Sequence, residues 1–418
     1  MELLYNRRKN RLVISKSWLL IFLLGCSFIF YLFSYPWPPR IRIIEILTGL
    51  FLILAFSKHY LKFICKLNKI TIYKIYFYYF LFFGTTVGIL NNNEVSDIIR
   101  DIIPLFYFFI GFAFLETGSV KEKKLVREIL PYLMVILGLF YTFRILIYWG
   151  DNIYKIGRIH LRSQVYLAQS PSVTFTAAFL LYNGIYYIYH KKIIKGIFIF
   201  ILSIFPLIVL SGEVLRAPIF LIILGSLYLI FFIVFSKRKI INKNNIYILI
   251  LIFFISVIFF YYFDIIFSIF NKLINKFIQR GDNGKIGEYI QAFHYMSNNI
   301  LKFLFGEGIG GLWITPFSKT IKFSYAHSFL VYSFIKGGLI GFFLSIIIVF
   351  KLIYFNIKRV LIKKSNLGDN IVYIATCITI VINLLLEVGY KTLSFGFIIL
   401  ILLLSEYKYS SSFSNSLE

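Results

Sequence analysis

The chain has 418 residues, 59% of them hydrophobic and only 15% charged, with a mean hydropathy of +0.82. A soluble globular chain of this length does not stay dissolved at that composition, so soluble classes are excluded and an integral membrane protein is implied. The formal net charge of +26 would point to nucleic acid in a soluble protein. Here Lys and Arg sit at the ends of apolar runs, which marks membrane topology, so no nucleic-acid partner is expected.

In chain order, the basic segment "NRRKNRLVISK" precedes an apolar run but shows no small-residue cleavage site, and further spans follow. It reads as a retained first anchor, not a signal peptide. Apolar runs then recur at 17–34, 40–57, 72–90, 98–116, 129–149, 165–189, 193–210, 217–235, 245–266, 328–355, 371–387 and 391–406. Crossing about 30 Å of hydrocarbon takes about 20 helical residues, so the expected fold is a single all-α polytopic membrane domain over 1–418 with about twelve spans. The strongly basic connectors, such as "KHYLKFICKLNK", "KEKKLVRE" and "SKRKIINKNN", alternate to one side together with the amino terminus. By the positive-inside rule that side is cytoplasmic, and both termini lie on it.

The opposite face receives one connection that exceeds the usual length, residues 266–328. Within it, "IGEYIQAFHYMSNNILKFLF" carries apolar residues at three- and four-residue spacing, which predicts an amphipathic helix along the membrane surface. No internal repeat is evident. Cys26, Cys65 and Cys377 lie far apart without paired spacing, and the five histidines show no ligand spacing, so neither a disulfide framework nor a metal site is expected.

Four arginines gather on this outer face from three connectors: Arg158 and Arg162 in "GRIHLRSQ", Arg216 in "LSGEVLRAPIF" and Arg280 in "IQRGDNGK". Cations near hydrocarbon are costly, and the guanidinium fork holds phosphate oxygens in pairs, so a diphosphate is the simplest shared ligand. Each has a plainer reading. Arg158, Arg162 and Arg280 fit solvated turns, and Arg216 fits a headgroup anchor or an ion pair with Glu213.

A single histidine, His327, opens the apolar run "AHSFLVYSFIKGGLIGFFL". As a bland element it would cap the helix or sit at the interface. Against that, Gly338 and Gly341 let another helix approach closely, which turns the histidine inward. Imidazole titrates near neutral pH and takes a proton from a sugar hydroxyl without a metal.

These residues carry a resemblance. The His-Ser, nine residues, G-x-x-G arrangement is similar to a signature of the O-antigen ligase and O-antigen polymerase family. "NILKFLFGEGIGG" resembles that family's glycine-rich stretch, and "VLSGEVLRAPIFLIILG" resembles its serine-arginine segment. In this chain Gly212, Glu213, Val214 and Leu215 stand where the compact serine-arginine pair is usual. The resemblance covers about residues 200–355.

It implies a metal-independent GT-C type glycosyltransferase of the bacterial inner membrane with its site on the periplasmic face. Its substrate would be an undecaprenyl-diphosphate-linked oligosaccharide within the membrane lipid, with a chain-length regulator as a further partner and no cofactor. His327 would be the catalytic base, and Arg216, Arg162, Arg158 and Arg280 would bind the diphosphate. Polymerase is favoured over ligase because no stretch offers a specialised site for lipid A core.

The reading from another class is a lipid-linked oligosaccharide flippase or solute carrier, which needs ionisable groups near the midplane. Arg144, Lys336 and Glu387 are the candidates for that. Asp97 and Asp101 share one helical face and read as helix-cap residues, and the glycines at 306–311 read as a hinge beside a helix end.

Overall fold

The computed structural model describes residues 2–36, 42–66, 70–150, 166–212, 215–235, 285–314, 322–362 and 367–414. The helices are α1 (Glu2–Phe33), α2 (Ile43–Cys65), α3 (Ile72–Tyr78), α4 (Thr85–Leu90), α5 (Val95–Thr117), α6 (Val120–Trp149), α7 (Pro171–Tyr189) and α8 (Ile193–Gly212). They continue with α9 (Arg216–Phe235), α10 (Lys285–Ser297), α11 (Ile300–Phe305), α12 (Phe329–Ile362), α13 (Leu367–Leu385) and α14 (Leu393–Ser414). Two short antiparallel strands, β1 (Trp313–Ile314) and β2 (Lys322–Phe323), pair Trp313 with Phe323 and Ile314 with Lys322.

Among the described residues, five helical segments are long and apolar enough to cross a membrane: Ile43–Cys65, Val95–Thr117, Val120–Trp149, Ile193–Gly212 and Phe329–Tyr354. Shorter apolar stretches cover Trp18–Phe33, Ala217–Phe231, Asn370–Leu385 and Leu393–Ser405. Large apolar side chains such as Phe22, Ile53, Phe82, Phe198, Phe220 and Phe343 face outward, as befits a surface whose solvent is lipid. The described residues thus form an all-α membrane protein. The expected span at 245–266 lies outside the described residues.

Local chemistry sets the helix ends. Ser119 and Glu122 form a reciprocal capping box at the start of α6, with Ser119 Oγ accepting from Glu122 N and Glu122 Oε2 from Ser119 N. Pro171 occupies the first turn of α7, where a missing N–H costs nothing. Arg144 donates to Leu32 O and Ser34 O at 3.0 and 2.8 Å, satisfying carbonyls at the C-terminal end of α1. Arg144, one of the ionisable groups a carrier reading would use, thus contacts the end of a neighbouring helix.

Two helices are broken. The run 72–90 passes from α3 through a π-helical turn, Tyr79–Gly84, into α4. Inside α12, Gly338 adopts φ 61 and ψ −157, a conformation open to glycine alone. The kink releases the carbonyls of Ile335 and Lys336, which accept from Glu307 N and Gly308 N at 2.8 and 3.1 Å. The glycine-rich loop 306–311 therefore threads between the two breaks. On its other side Ile309 N donates to Gly84 O at 2.8 Å, and a Cβ on Gly308 would lie 2.2 Å from Gly88 N.

Below this loop an aromatic core carries the start of α12. Phe329 stacks on Phe108 with ring centroids 5.0 Å apart and lies 5.7 Å from Tyr76, while Tyr76 OH and Ser333 Oγ share a 2.9 Å hydrogen bond. These contacts fix the first turn of α12, and with it the residue that precedes the helix.

Candidate functional site

His327 sits just ahead of α12, in a segment with no regular secondary structure. Backbone groups there need partners from elsewhere, and side chains supply them. Lys391 Nζ donates to Ser324 O at 2.7 Å, Trp313 Nε1 to Tyr325 O at 2.9 Å and Tyr390 OH to Ala326 O at 2.8 Å. His327 N donates to both carboxylate oxygens of Glu288 at 3.1 Å. Four successive residues are thereby held by four side chains from three separate parts of the chain.

The same Glu288 carboxylate lies 3.3 Å from His327 Nδ1. Its side chain is 1% exposed and that of His327 is 28% exposed, so a buried carboxylate orients a histidine that still reaches the surface. With Nδ1–H turned to the carboxylate, the neutral tautomer places the ring's acceptor lone pair on Nε2. The neighbouring phenols remain donors. Burial first, and then the Glu288 charge, push the Tyr390 hydroxyl well above its ordinary range. Tyr289, raised chiefly by burial, shares a 2.6 Å hydrogen bond with Ser328 Oγ.

Ser328 is the residue that caps α12, since its hydroxyl accepts from Leu330 N at 3.2 Å. The bland reading of His327 as the helix cap is therefore replaced. Gly338 and Gly341 allow close approach as the spacing suggests: a Cβ on Gly338 would sit 2.4 Å from Leu304 O, and one on Gly341 2.9 Å from Phe80 Cζ.

Glu288 comes from α10. Glu288, Ala292 and Met296 are its buried positions, spaced by four, while Ile286, Ile290 and Phe293 on other faces are exposed. An acidic residue in register with the buried stripe of an amphipathic helix was the available signal, and sequence reasoning passed over it. The hairpin of α10 and α11 is tied down by Glu307, whose Oε1 accepts from Tyr295 OH and Lys302 Nζ, both at 2.8 Å.

A second cluster lies behind the histidine. Asp101 Oδ2 accepts from Lys336 Nζ at 2.5 Å and from Gly310 N at 3.1 Å, and Oδ1 from Lys391 Nζ at 3.0 Å. Lys336 Nζ also donates to Gly311 O. This corrects the cap reading of Asp101, which is fully buried between two ammonium groups. Asp97 pairs with Arg100 at 2.6 Å. The candidate Lys336 is likewise bound into this cluster. The glycines correct a further expectation: Gly306 ends α11 at φ 85, but Gly308 and Gly310, at φ 78 and 83, build a packed, hydrogen-bonded insert instead of a hinge.

The arginines fare differently. Arg216 begins α9, following a turn closed by Leu215 N to Leu210 O at 2.9 Å. Arg158, Arg162 and Arg280 lie outside the described residues, as does Glu213. Among the described residues no group of three or more His, Cys, Asp or Glu side chains is placed to hold a metal ion.

Comparisons of the chain with protein-family models, with curated proteins and with solved structures return no match.

Proposed function

We propose that the chain is a membrane glycosyltransferase of the O-antigen polymerase type, acting on an undecaprenyl-diphosphate-linked glycan. The observation that carries this reading is the buried Glu288 carboxylate on His327 Nδ1, in a helical protein whose outer surface is apolar. A carboxylate that fixes one ring nitrogen prepares the other as a general base, by the logic of carboxylate–histidine pairs in acyl transfer.

In this reading His327 Nε2 takes the proton of an acceptor sugar hydroxyl. The oxygen attacks the anomeric carbon of the donor, the bond from that carbon to the diphosphate oxygen breaks, and undecaprenyl diphosphate leaves. The proton stays on the imidazole until it passes to water. Arg216, Arg162, Arg158 and Arg280 would neutralise the leaving diphosphate, a task suited to the fork of arginine. Lipid tail in the bilayer and acceptor in water place the histidine at the rim of the bundle.

The accompanying topology has about twelve spans in the inner membrane, both termini in the cytoplasm and the 266–328 segment with its site in the periplasm. Cysteines introduced at Ser163, Ser211 or Asn283 then react with an impermeant thiol reagent from outside, and one at Asn242 does not.

The direct test is the purified protein in lipid vesicles with a synthetic undecaprenyl-diphosphate-linked repeat unit. Longer glycans and free undecaprenyl diphosphate support the reading. Transfer only to added lipid A core identifies a ligase, and movement of the donor between leaflets without new glycosidic bonds identifies a flippase.

A further inference from the structure

The Asp101 cluster is not needed for the chemistry above, and each of its bonds leads to irregular backbone. Asp101 reaches from α5 to three separate segments: the glycine loop through Gly310 N and Lys336, the connector between α13 and α14 through Lys391, and residue 324 through Lys391's second bond. All three side chains are buried, at 0, 1 and 3% exposure for Asp101, Lys336 and Lys391. One carboxylate faces two ammonium groups, so both lysines depend on the same partner.

Lys391 has one further attachment: its ammonium lies 4.1 Å from the centroid of the Tyr332 ring. Tyr390 beside it holds Ala326 O. The connector therefore grips residues 324 and 326 from one side while Glu288 grips 327 from another. The bonds at 324 and 326 set the angle at which the chain delivers His327 to Glu288. A buried ion pair that served stability alone would have no reason to end on a carbonyl three residues before the histidine.

We propose that the Asp101–Lys391 pair is the positioning device of this site, holding the 324–327 segment so that His327 Nδ1 meets Glu288. The proposal rests on the reading of His327 as the base, and its test separates the two. Lys391→Met removes the bond to Ser324 O and leaves Asp101 and Lys336 as a one-to-one pair. One of the two ammonium groups is removed and no buried charge is left without an opposite partner, so the large cost of breaking a lone buried ion pair does not arise. A purely structural role predicts that any loss of rate is matched by a loss of melting temperature.

The positioning role predicts a split: unchanged abundance and melting temperature, with kcat lower by about 10²-fold, the scale of a misplacement of about 1 Å, and KM for the lipid-linked donor nearly unchanged. A second readout is independent of turnover. Diethyl pyrocarbonate acylates accessible imidazoles, and peptide mapping gives a rate at His327 relative to His190 at the end of α7. The ratio shifts in Lys391→Met if the segment has rotated.

An unchanged ratio together with unchanged kcat overturns the proposal, and so does a loss of melting temperature that accounts for the whole loss of rate. Should Lys391→Met fail to accumulate, the double variant Asp101→Asn, Lys336→Met keeps the net charge of the cluster and is read in the same way. A shifted ratio in a protein whose unaltered form transfers no glycan sustains the positioning role and rejects the transferase reading.

Discussion

Replacing Glu288 by glutamine isolates the contribution of the carboxylate to the site. The side chain keeps its length, and its amide oxygen continues to accept the backbone N–H of His327, which in the native chain is shared between two oxygens at 3.1 Å. What changes is the group opposite Nδ1. An amide NH2 there donates, so Nδ1 becomes the acceptor and the ring proton moves to Nε2, where it blocks base catalysis. The cost to folding is one charge-assisted hydrogen bond exchanged for a neutral one, about 1 kcal/mol. Positioned general-base catalysis typically contributes about 10²–10⁴ in rate, or about 3–5 kcal/mol of barrier, and Glu288→Gln is expected to forfeit most of it. The assay is the rate of glycan lengthening in vesicles at matched protein abundance, with a melting curve alongside. A variant within about threefold of the native rate would refute the reasoning, because the tautomer argument leaves no room for a wrongly protonated imidazole to serve as base.

Gly338→Ala places a Cβ 2.4 Å from Leu304 O at φ 61, so a loss of about 1–3 kcal/mol from backbone strain alone is expected, read as lower accumulation and melting temperature. Gly49→Ala, with nothing within 4 Å of the new methyl, is the control and leaves both unchanged or slightly raised. Arg216→Lys keeps the charge and loses the fork, so it is expected to impair transfer nearly as much as Arg216→Ala; a fully active lysine variant would reduce Arg216 to a headgroup contact. Burial pushes the Lys391 ammonium down from 10.5 to about 8. The unfolded chain then binds the proton that the folded one has released, so stability in detergent rises between pH 8 and 10.5, by about 3 kcal/mol at most. Lys391→Met abolishes that rise in melting curves taken across the window.

The all-α apolar character was legible because lipid demands long apolar runs with closed backbone hydrogen bonding, and runs such as 98–116 and 193–210 coincide with α5 and α8 to within a few residues. The π-helical turn at Tyr79–Gly84 was not legible, since its hydrophobic pattern is that of any apolar helix; what distinguishes it is the contact of Gly84 O with Ile309, far along the chain. His327 stood out through its isolation at the start of an apolar run. Glu288 did not, although its place in the buried stripe of α10 was a readable sign. Asp101 was misread as a cap because it lies one turn on from Asp97 near the start of α5, while the true partners Lys336 and Lys391 lie 235 and 290 residues away. Long-range pairing of buried charges leaves no trace in local spacing, and two of the four residues held at 324–327, Ser324 by Lys391 and His327 by Glu288, depend on charged side chains from distant parts of the chain.

The central claim is that His327 accepts a proton during transfer, and His327→Asn tests it most directly. Asparagine presents a side-chain amide near the position of Nδ1, so the bond to Glu288 has a donor and the Ser328 cap is untouched, yet no atom of the new side chain accepts a proton at neutral pH. The measurement is the length distribution of glycan made in vesicles, with membrane abundance and melting temperature determined on the same preparation. The account predicts normal insertion and stability with lengthening reduced by about 10²–10⁴. Glycan of native length at native rate from a folded His327→Asn protein would contradict it.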